Sequence, residues 1–132
     1  ASFAETEDGR YLIVLEGVMR FREVRELEMA APYRVAQADY AGFEQDLTPG
    51  RLAPGVDREA FLSLLKAFFD TAGLQADWDS VERAPLTAIA DKVAMAAPFD
   101  AVAKQALLEA ADPGERVSAL AAMMSEHLDQ AD

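Results

Sequence analysis

The chain has 132 residues, no cysteine, 52% hydrophobic and 27% charged residues, and a formal net charge of −12. A chain of that length fits one domain or two small subdomains, and buries about two thirds of its unfolded surface, so it needs no covalent staple. The lack of cysteine excludes disulfides, thiolate metal sites and thiol nucleophiles, and suits a reducing, cytoplasmic setting. The longest apolar run, Tyr11 to Leu15, is far too short for a membrane span, and no basic-then-apolar leader opens the chain. As far as Ala53, six arginines face ten acids, net −4; the remainder carries −8. Such a surface repels phosphate backbones and anionic lipid, so neither nucleic acid nor membrane is expected as a partner.

The first elements read as a small curled antiparallel β subdomain with a linker, over residues 1–53. Phe3 to Glu5 is expected to pair with Arg10 to Glu16 across the turn at Asp8-Gly9, a dipeptide that tolerates positive φ. Leu12 and Val14 face one side of the strand, Tyr11, Ile13 and Leu15 the other. Both sides are apolar, so cover on both is expected. Gly17 is expected to allow a bend. Met19 to Met29 reads as the next extended segment, with a bulge near Glu23 to reconcile the phase of Phe21 with that of Val24 and Leu27. Pro32 ends it, and Tyr33 to Tyr40 reads as a fourth strand. Residues 41–55, with Gly42, Pro49, Gly50, Pro54 and Gly55, read as a linker in which Phe43 and Leu47 anchor on a neighbouring surface.

Residues 54–132 read as a bundle of about five helices with short connections, which makes the fold class α+β. Asp57 is placed to cap the first helix, with Val56 and Phe61 as a hydrophobic staple. Phe61, Leu64, Leu65, Phe68 and Phe69 form an apolar stripe, and Gly73 ends it with a left-handed cap. Asp77 caps a short helix from Trp78 to Arg83. Pro85 suits the first turn of the next helix, which ends near Ala96. Asp100 caps a helix from Ala101 to Ala110. Asp112-Pro113-Gly114-Glu115 is a capping box, before Val117, Leu120, Ala121, Met124 and Leu128 at helical spacing.

Gly9 to Phe21 resembles the central strand pair of the Lon N-terminal (substrate-binding) domain family. Leu15, Gly17, Arg20 and Phe21 match that family's V-x-L-x-G-x-x-R-F/V pattern. Pro32 to Ala38 is similar to the strand that follows. Pro98-Phe99-Asp100 with Lys104-Gln105-Ala106-Leu107-Leu108-Glu109 resembles its P-F-x-x-x-x-K-Q-x-L-L-E segment, with Ala103 where many members have Glu. The chain most resembles stand-alone bacterial members that lack the ATPase and protease domains. The resemblance implies a curled β subdomain before a helical bundle, further strands before residue 1, and a non-enzymatic role binding unfolded polypeptide segments or a proteolytic partner. A structural or regulatory adaptor whose helical half binds a partner protein is the alternative.

No residue set makes a convincing catalytic or cofactor site. Ser63-Leu64-Leu65-Lys66 has the S-x-x-K spacing of some acyl-transfer serines, but the companion S-D-N and K-T-G motifs are missing. Asp77, Asp79 and Glu82 crowd a helix start, where the dipole favours acids, and lack a calcium-loop pattern. His127, the one histidine, falls near the end of the last helix and has no evident metal-ligand companions. No phosphate loop or dinucleotide fingerprint is present, so neither cofactor nor metal is expected. Met95, Met123 and Met124 are expected to fill core space. For a bound peptide, Arg20, Phe21, Arg22 and Tyr33 stand out, with Arg25 beside them, as cations for its carbonyls and carboxylates and aromatics as anchors. The competing reading pairs these arginines with Glu23, Glu26 and Glu28 across the sheet. Association between copies is expected through the exposed sheet edge from Phe3 to Val24.

Overall fold

The computed structural model describes residues 2–30, 32–48 and 56–131. Its elements run β1 (Ser2–Glu5), β2 (Tyr11–Val14), β3 (Arg22–Leu27), β4 (Val35–Asp39) and a 3₁₀ turn (Glu44–Leu47). Five helices follow: α1 (Arg58–Ala72), α2 (Trp78–Arg83), α3 (Leu86–Ala96), α4 (Ala101–Glu109) and α5 (Pro113–Ala131). This is the expected α+β arrangement with its five helices. Two compact units are present, Ala1–Leu47 and Thr48–Asp132. The expected linker residues Pro49, Gly50, Pro54 and Gly55 lie outside the described residues.

In the first unit Gly9 supplies the hairpin turn at φ 77°, and its N–H donates to the Thr6 carbonyl at 2.9 Å. No non-glycine residue, Asp8 included, takes a positive φ among the described residues. The two strands pair across the turn as expected, with Ser2 opposite Val14 and Glu5 opposite Tyr11. The bulge also falls where the phase change put it: Glu23 pairs with Ala38 and Arg25 with Gln37, leaving Val24 as the extra residue. Four expectations need correction. The strands form two separate two-stranded sheets, β1-β2 and β3-β4, rather than one curled sheet. β3 begins at Arg22, not Met19, because the Arg20 N–H donates to the Asp46 carboxylate (2.9 Å) and is lost to a ladder. Gly17 has no positive φ, and a Cβ there would meet nothing within 4 Å, so nothing at this position requires glycine. β4 starts two residues later than expected, at Val35.

The second unit is built from capped helices. The Asp57 carboxylate accepts from the Glu59 and Ala60 N–H groups, at 2.9 and 3.2 Å. Asp77 accepts from Ser80, Asp100 from Ala103 and Asp112 from Glu115. Gly73 closes α1 at φ 65°, where the Leu74 N–H returns to the Phe69 carbonyl at 2.8 Å. Pro85 occupies the N-cap of α3 rather than its first turn. Cations from other helices cover three C-termini. Arg58 of α1 donates to the Glu82 and Ala84 carbonyls at the end of α2, at 2.7 and 2.9 Å. Lys104 of α4 reaches the Met95 carbonyl of α3 at 2.9 Å, and Arg116 of α5 the Leu107 carbonyl of α4 at 3.0 Å. Carbonyls that a short helix leaves unpaired are thereby satisfied.

Phe61, Leu65 and Phe68 of α1 meet Leu86, Ile89 and Val93 of α3, Leu107 of α4 and Val117, Leu120 and Met124 of α5 in one core. Phe68 is fully buried, stacked on Phe99 at 5.5 Å and met edge-on by His127 at 5.1 Å. Met124 is buried in the core and Met123 packs on it, but Met95 is 74% exposed and fills none of it. Replacing Phe68 by Ala opens a large cavity and should cost about 3–5 kcal/mol. Urea unfolding followed by far-ultraviolet circular dichroism measures that loss directly.

Candidate functional site

The hydrogen bonds of the first hairpin determine which main-chain groups face outward. The Thr6 N–H donates to the Arg10 carbonyl at 2.8 Å, so Thr6 opposite Arg10 is a hydrogen-bonded pair. Alternation along an antiparallel ladder then makes Ala4–Leu12 and Ser2–Val14 hydrogen-bonded pairs, and Glu5–Tyr11 and Phe3–Ile13 not. The N–H and C=O groups of Tyr11 and Ile13, with Leu15 next in phase, therefore point away from β1. They form an edge with no partner strand among the described residues. Phe3 and Glu5 point theirs outward from the opposite edge by the same parity.

Side chains repeat the pattern in the perpendicular direction. Phe3, Tyr11 and Ile13 share one face, with Phe3 and Tyr11 edge-to-face at 6.0 Å; Ala4, Leu12 and Val14 share the other. Cover on both faces was expected, and neither is covered among the described residues. Exposure is 76% for Phe3 and between 59% and 77% for each residue from Tyr11 to Leu15. A lone two-stranded sheet has no layer on either side, so a strand apolar on both faces stays in contact with water. Around it, Arg10 pairs with Asp8 at 2.6 Å, whereas Glu5, Glu7 and Glu16 have no ion pair among the described residues. The hydrogen bond from the Thr6 hydroxyl, then that from Arg10, holds the Asp8 carboxyl below its usual range.

The four expected peptide-contacting residues do not converge. Arg20 is locked inward. Its Nε and Nη2 donate to the two oxygens of Asp46 at 2.8 and 2.7 Å, and its guanidinium lies 4.7 Å from the centre of the Phe43 ring. Both side chains of the pair are 12% exposed, and Phe43 is buried. Arg22 reaches the same ring more loosely, at 5.9 Å. Phe21 packs against Tyr40 at 5.9 Å, each about half exposed. Tyr33 lies before β4, at the end of the hairpin where Leu27 pairs with Val35, while Arg22 pairs with Asp39 at the other end. At 3.3–3.4 Å per residue the two are separated by roughly 17 Å or more. Across this hairpin Arg34 pairs with Glu26 at 2.7 Å, and Arg25 donates to Gln37 at 3.1 Å. The Arg34 hydrogen bonds hold the Glu26 carboxyl below the usual range, and Glu26, helped by the charge of Glu23, pushes Arg34 up.

Phe43 and Asp46, which organise this cluster, lie in the stretch read as linker. An aromatic after Gly42 is visible in sequence; that Asp46 meets Arg20 from 26 positions away is not. Leu47, expected as an anchor beside Phe43, is 61% exposed. In the second unit Lys66 pairs with Glu82 at 3.2 Å and lies over Trp78, and Ser63 is exposed, so no serine–lysine dyad is assembled. Asp77 is a helix cap whose carboxyl is held below the usual range by the Ser80 side chain first and the Ser80 backbone next. No acidic or histidine cluster fit for a metal ion occurs among the described residues. Nor is any helix among them long and apolar enough to cross a membrane.

Among known proteins, the family model of the ATP-dependent protease La (LON) substrate-binding domain matches residues 1–126. No curated protein and no solved structure matches the chain.

Two consequences of this geometry can be measured. Asp46→Ala leaves the largely buried Arg20 guanidinium without its carboxylate, and should cost roughly 3 kcal/mol in the first unit. Hydrogen exchange at the ladder amides between β3 and β4 reads the loss. Glu26 holds its proton less tightly folded than unfolded, so the stability it contributes stands at neutral pH and is lost as pH falls through its folded value. Arg34→Met should return Glu26 to the ordinary carboxylate range in a nuclear magnetic resonance titration.

Proposed function

The chain belongs to the Lon substrate-binding domain family, and on that premise we propose that it recognises unfolded polypeptide segments or a proteolytic partner through the first hairpin. A substrate-recognition role follows from the membership itself; the matched domain is the part that binds, not a catalytic part. The observation that carries the finer reading is the five-residue apolar run Tyr11 to Leu15, exposed on both faces beside an edge with no partner strand among the described residues. An extended segment added there gains main-chain hydrogen bonds from the edge and apolar contact from alternate side chains. Phe21 and Tyr33 offer further aromatic contact, each exposed on the second hairpin. Arg20 holds the chain in place and contributes to binding through Phe21, its neighbour, rather than by touching the segment. The same open edge of β2 invites association between copies.

The adaptor reading draws on one observation. Met95, Val102 and Leu108 of α3 and α4 are exposed in the second unit, and a partner helix could cover them. A single titration separates the readings. Full-length protein is added to a fluorescently labelled, permanently unfolded polypeptide and anisotropy is followed. Saturable binding at tens of micromolar is expected. Leu12→Ser with Val14→Ser should weaken it roughly tenfold, from the apolar contact removed, while Val102→Ser with Leu108→Ser leaves it unchanged. No saturable binding, or the opposite pattern of sensitivity, rejects the hairpin as the recognition surface.

A further inference from the structure

The sequence of the β2 edge is self-complementary about Ile13. Arg10-Tyr11-Leu12-Ile13-Val14-Leu15-Glu16 reads as five apolar residues between a cation and an anion. Laid antiparallel on a second copy with Ile13 opposite Ile13, it places Tyr11 opposite Leu15, Leu12 opposite Val14, and Arg10 opposite Glu16 of the second copy. Main-chain parity agrees with that register. Tyr11 and Ile13 are the residues of β2 whose N–H and C=O groups face away from β1, and Leu15 follows them in phase. In this alignment they meet one another across the axis, each donating and accepting. Faces agree as well: Tyr11, Ile13 and Leu15 of both copies continue the Phe3 face, and Leu12 and Val14 the Ala4 face. A slip by one residue would turn outward-facing main-chain groups toward inward-facing ones and break both matches.

We propose that β2 pairs with β2 of a second copy about a twofold axis at Ile13, giving a four-stranded sheet in the order β1-β2-β2-β1. The interface is isologous, so it closes after two copies. Charge specifies the partner: Glu16, with no ion pair among the described residues, gains Arg10 of the second copy, whose existing pair with Asp8 is highly exposed and weakly held. Pro and Lys, which blunt natural sheet edges, are absent from residues 10–16. This inference rests on the open edge used in the functional reading, but its test does not involve peptide.

The full chain is sedimented alone near 0.15 M salt, where the mutual repulsion of two copies at net −12 is screened beyond about 8 Å. A concentration-dependent monomer–dimer equilibrium is expected. Arg10→Glu and Glu16→Arg, both exposed changes, should each weaken it roughly tenfold by setting like charges opposite each other twice per dimer. The double variant, Arg10→Glu with Glu16→Arg, should restore it. Ile13→Cys introduces the sole thiol of the chain, and a nitroxide attached there should show strong spin–spin broadening in the dimer. A monomer at every concentration overturns the inference, as does a dimer indifferent to both single charge changes or one with no broadening at position 13. The peptide titration above, run at concentrations where the chain is monomeric, stands or falls separately.

Discussion

Main-chain N–H and C=O groups removed from water must find partners, and the two units meet this constraint in opposite ways. In the second unit most of the helix ends described are closed by a side chain. Asp57, Asp77, Asp100 and Asp112 take the N-terminal amides, and Arg58, Lys104 and Arg116 take carbonyls at three C-termini. Because each of those cations comes from another helix, capping also fastens neighbouring helices together. α2 has six residues and could not persist alone; its last carbonyls are held by Arg58, which lies one residue after the Asp57 cap. Half of the lysines and arginines after Ala53 are committed in this way, which leaves the acids as the dominant exposed charge.

The first unit closes little of its main chain beyond each hairpin. Among the described residues, two two-stranded sheets leave edges open on both sides, and Phe43 is the buried hydrophobic residue of the unit. Isolated hairpins of this size are marginal in water. What holds the second one to its flank is the Arg20–Asp46 pair over Phe43, which is largely shielded and bidentate, unlike the exposed Arg34–Glu26 and Arg10–Asp8 pairs. Shielded charges are screened little by salt and exposed ones strongly. The first unit is thus the low-stability part of the chain, dependent on one strong lock, and a surface that covered its apolar strand would stabilise it. On the proposed reading, recognition and incomplete self-burial have the same cause.

Local signals carried the helical half. Asp caps, the Gly73 stop and the 3.6-residue stripe from Phe61 to Phe69 are short-range features, and each has its counterpart in the structure. The bulge near Glu23 was legible for the same reason, since a change of phase along one strand requires an extra residue. Readings failed where the outcome depended on residues far away. Burial of Tyr11 to Leu15 was inferred from their apolarity, but apolarity states only what a strand would gain from cover. Nothing in the alternation of Arg20, Phe21 and Arg22 indicates that Arg20 turns toward Asp46, 26 positions later. The four candidate contact residues looked like one set because they are close along the chain; a hairpin with ends several residues apart separates them.

The two edges of the first sheet are not equivalent, and that difference limits what can be built on them. Outward main-chain groups on β1 belong to Phe3 and Glu5, so that edge carries a carboxylate with no ion pair among the described residues. On β2 they belong to Tyr11 and Ile13, with Leu15 next in phase, an apolar edge with its charges only at the two ends. A strand approaching β1 must bring a cation or leave Glu5 opposed by nothing; one approaching β2 needs apolar alternation and opposite charges at its ends. With twofold pairing at β2, the edges remaining to the sheet are the two guarded by Glu5, and stepwise growth meets repulsion between like charges instead of another apolar edge. An unfolded segment and a second copy would then compete for one edge, and an acidic surface that disfavours open-ended aggregation would leave that competition to be decided by local sequence.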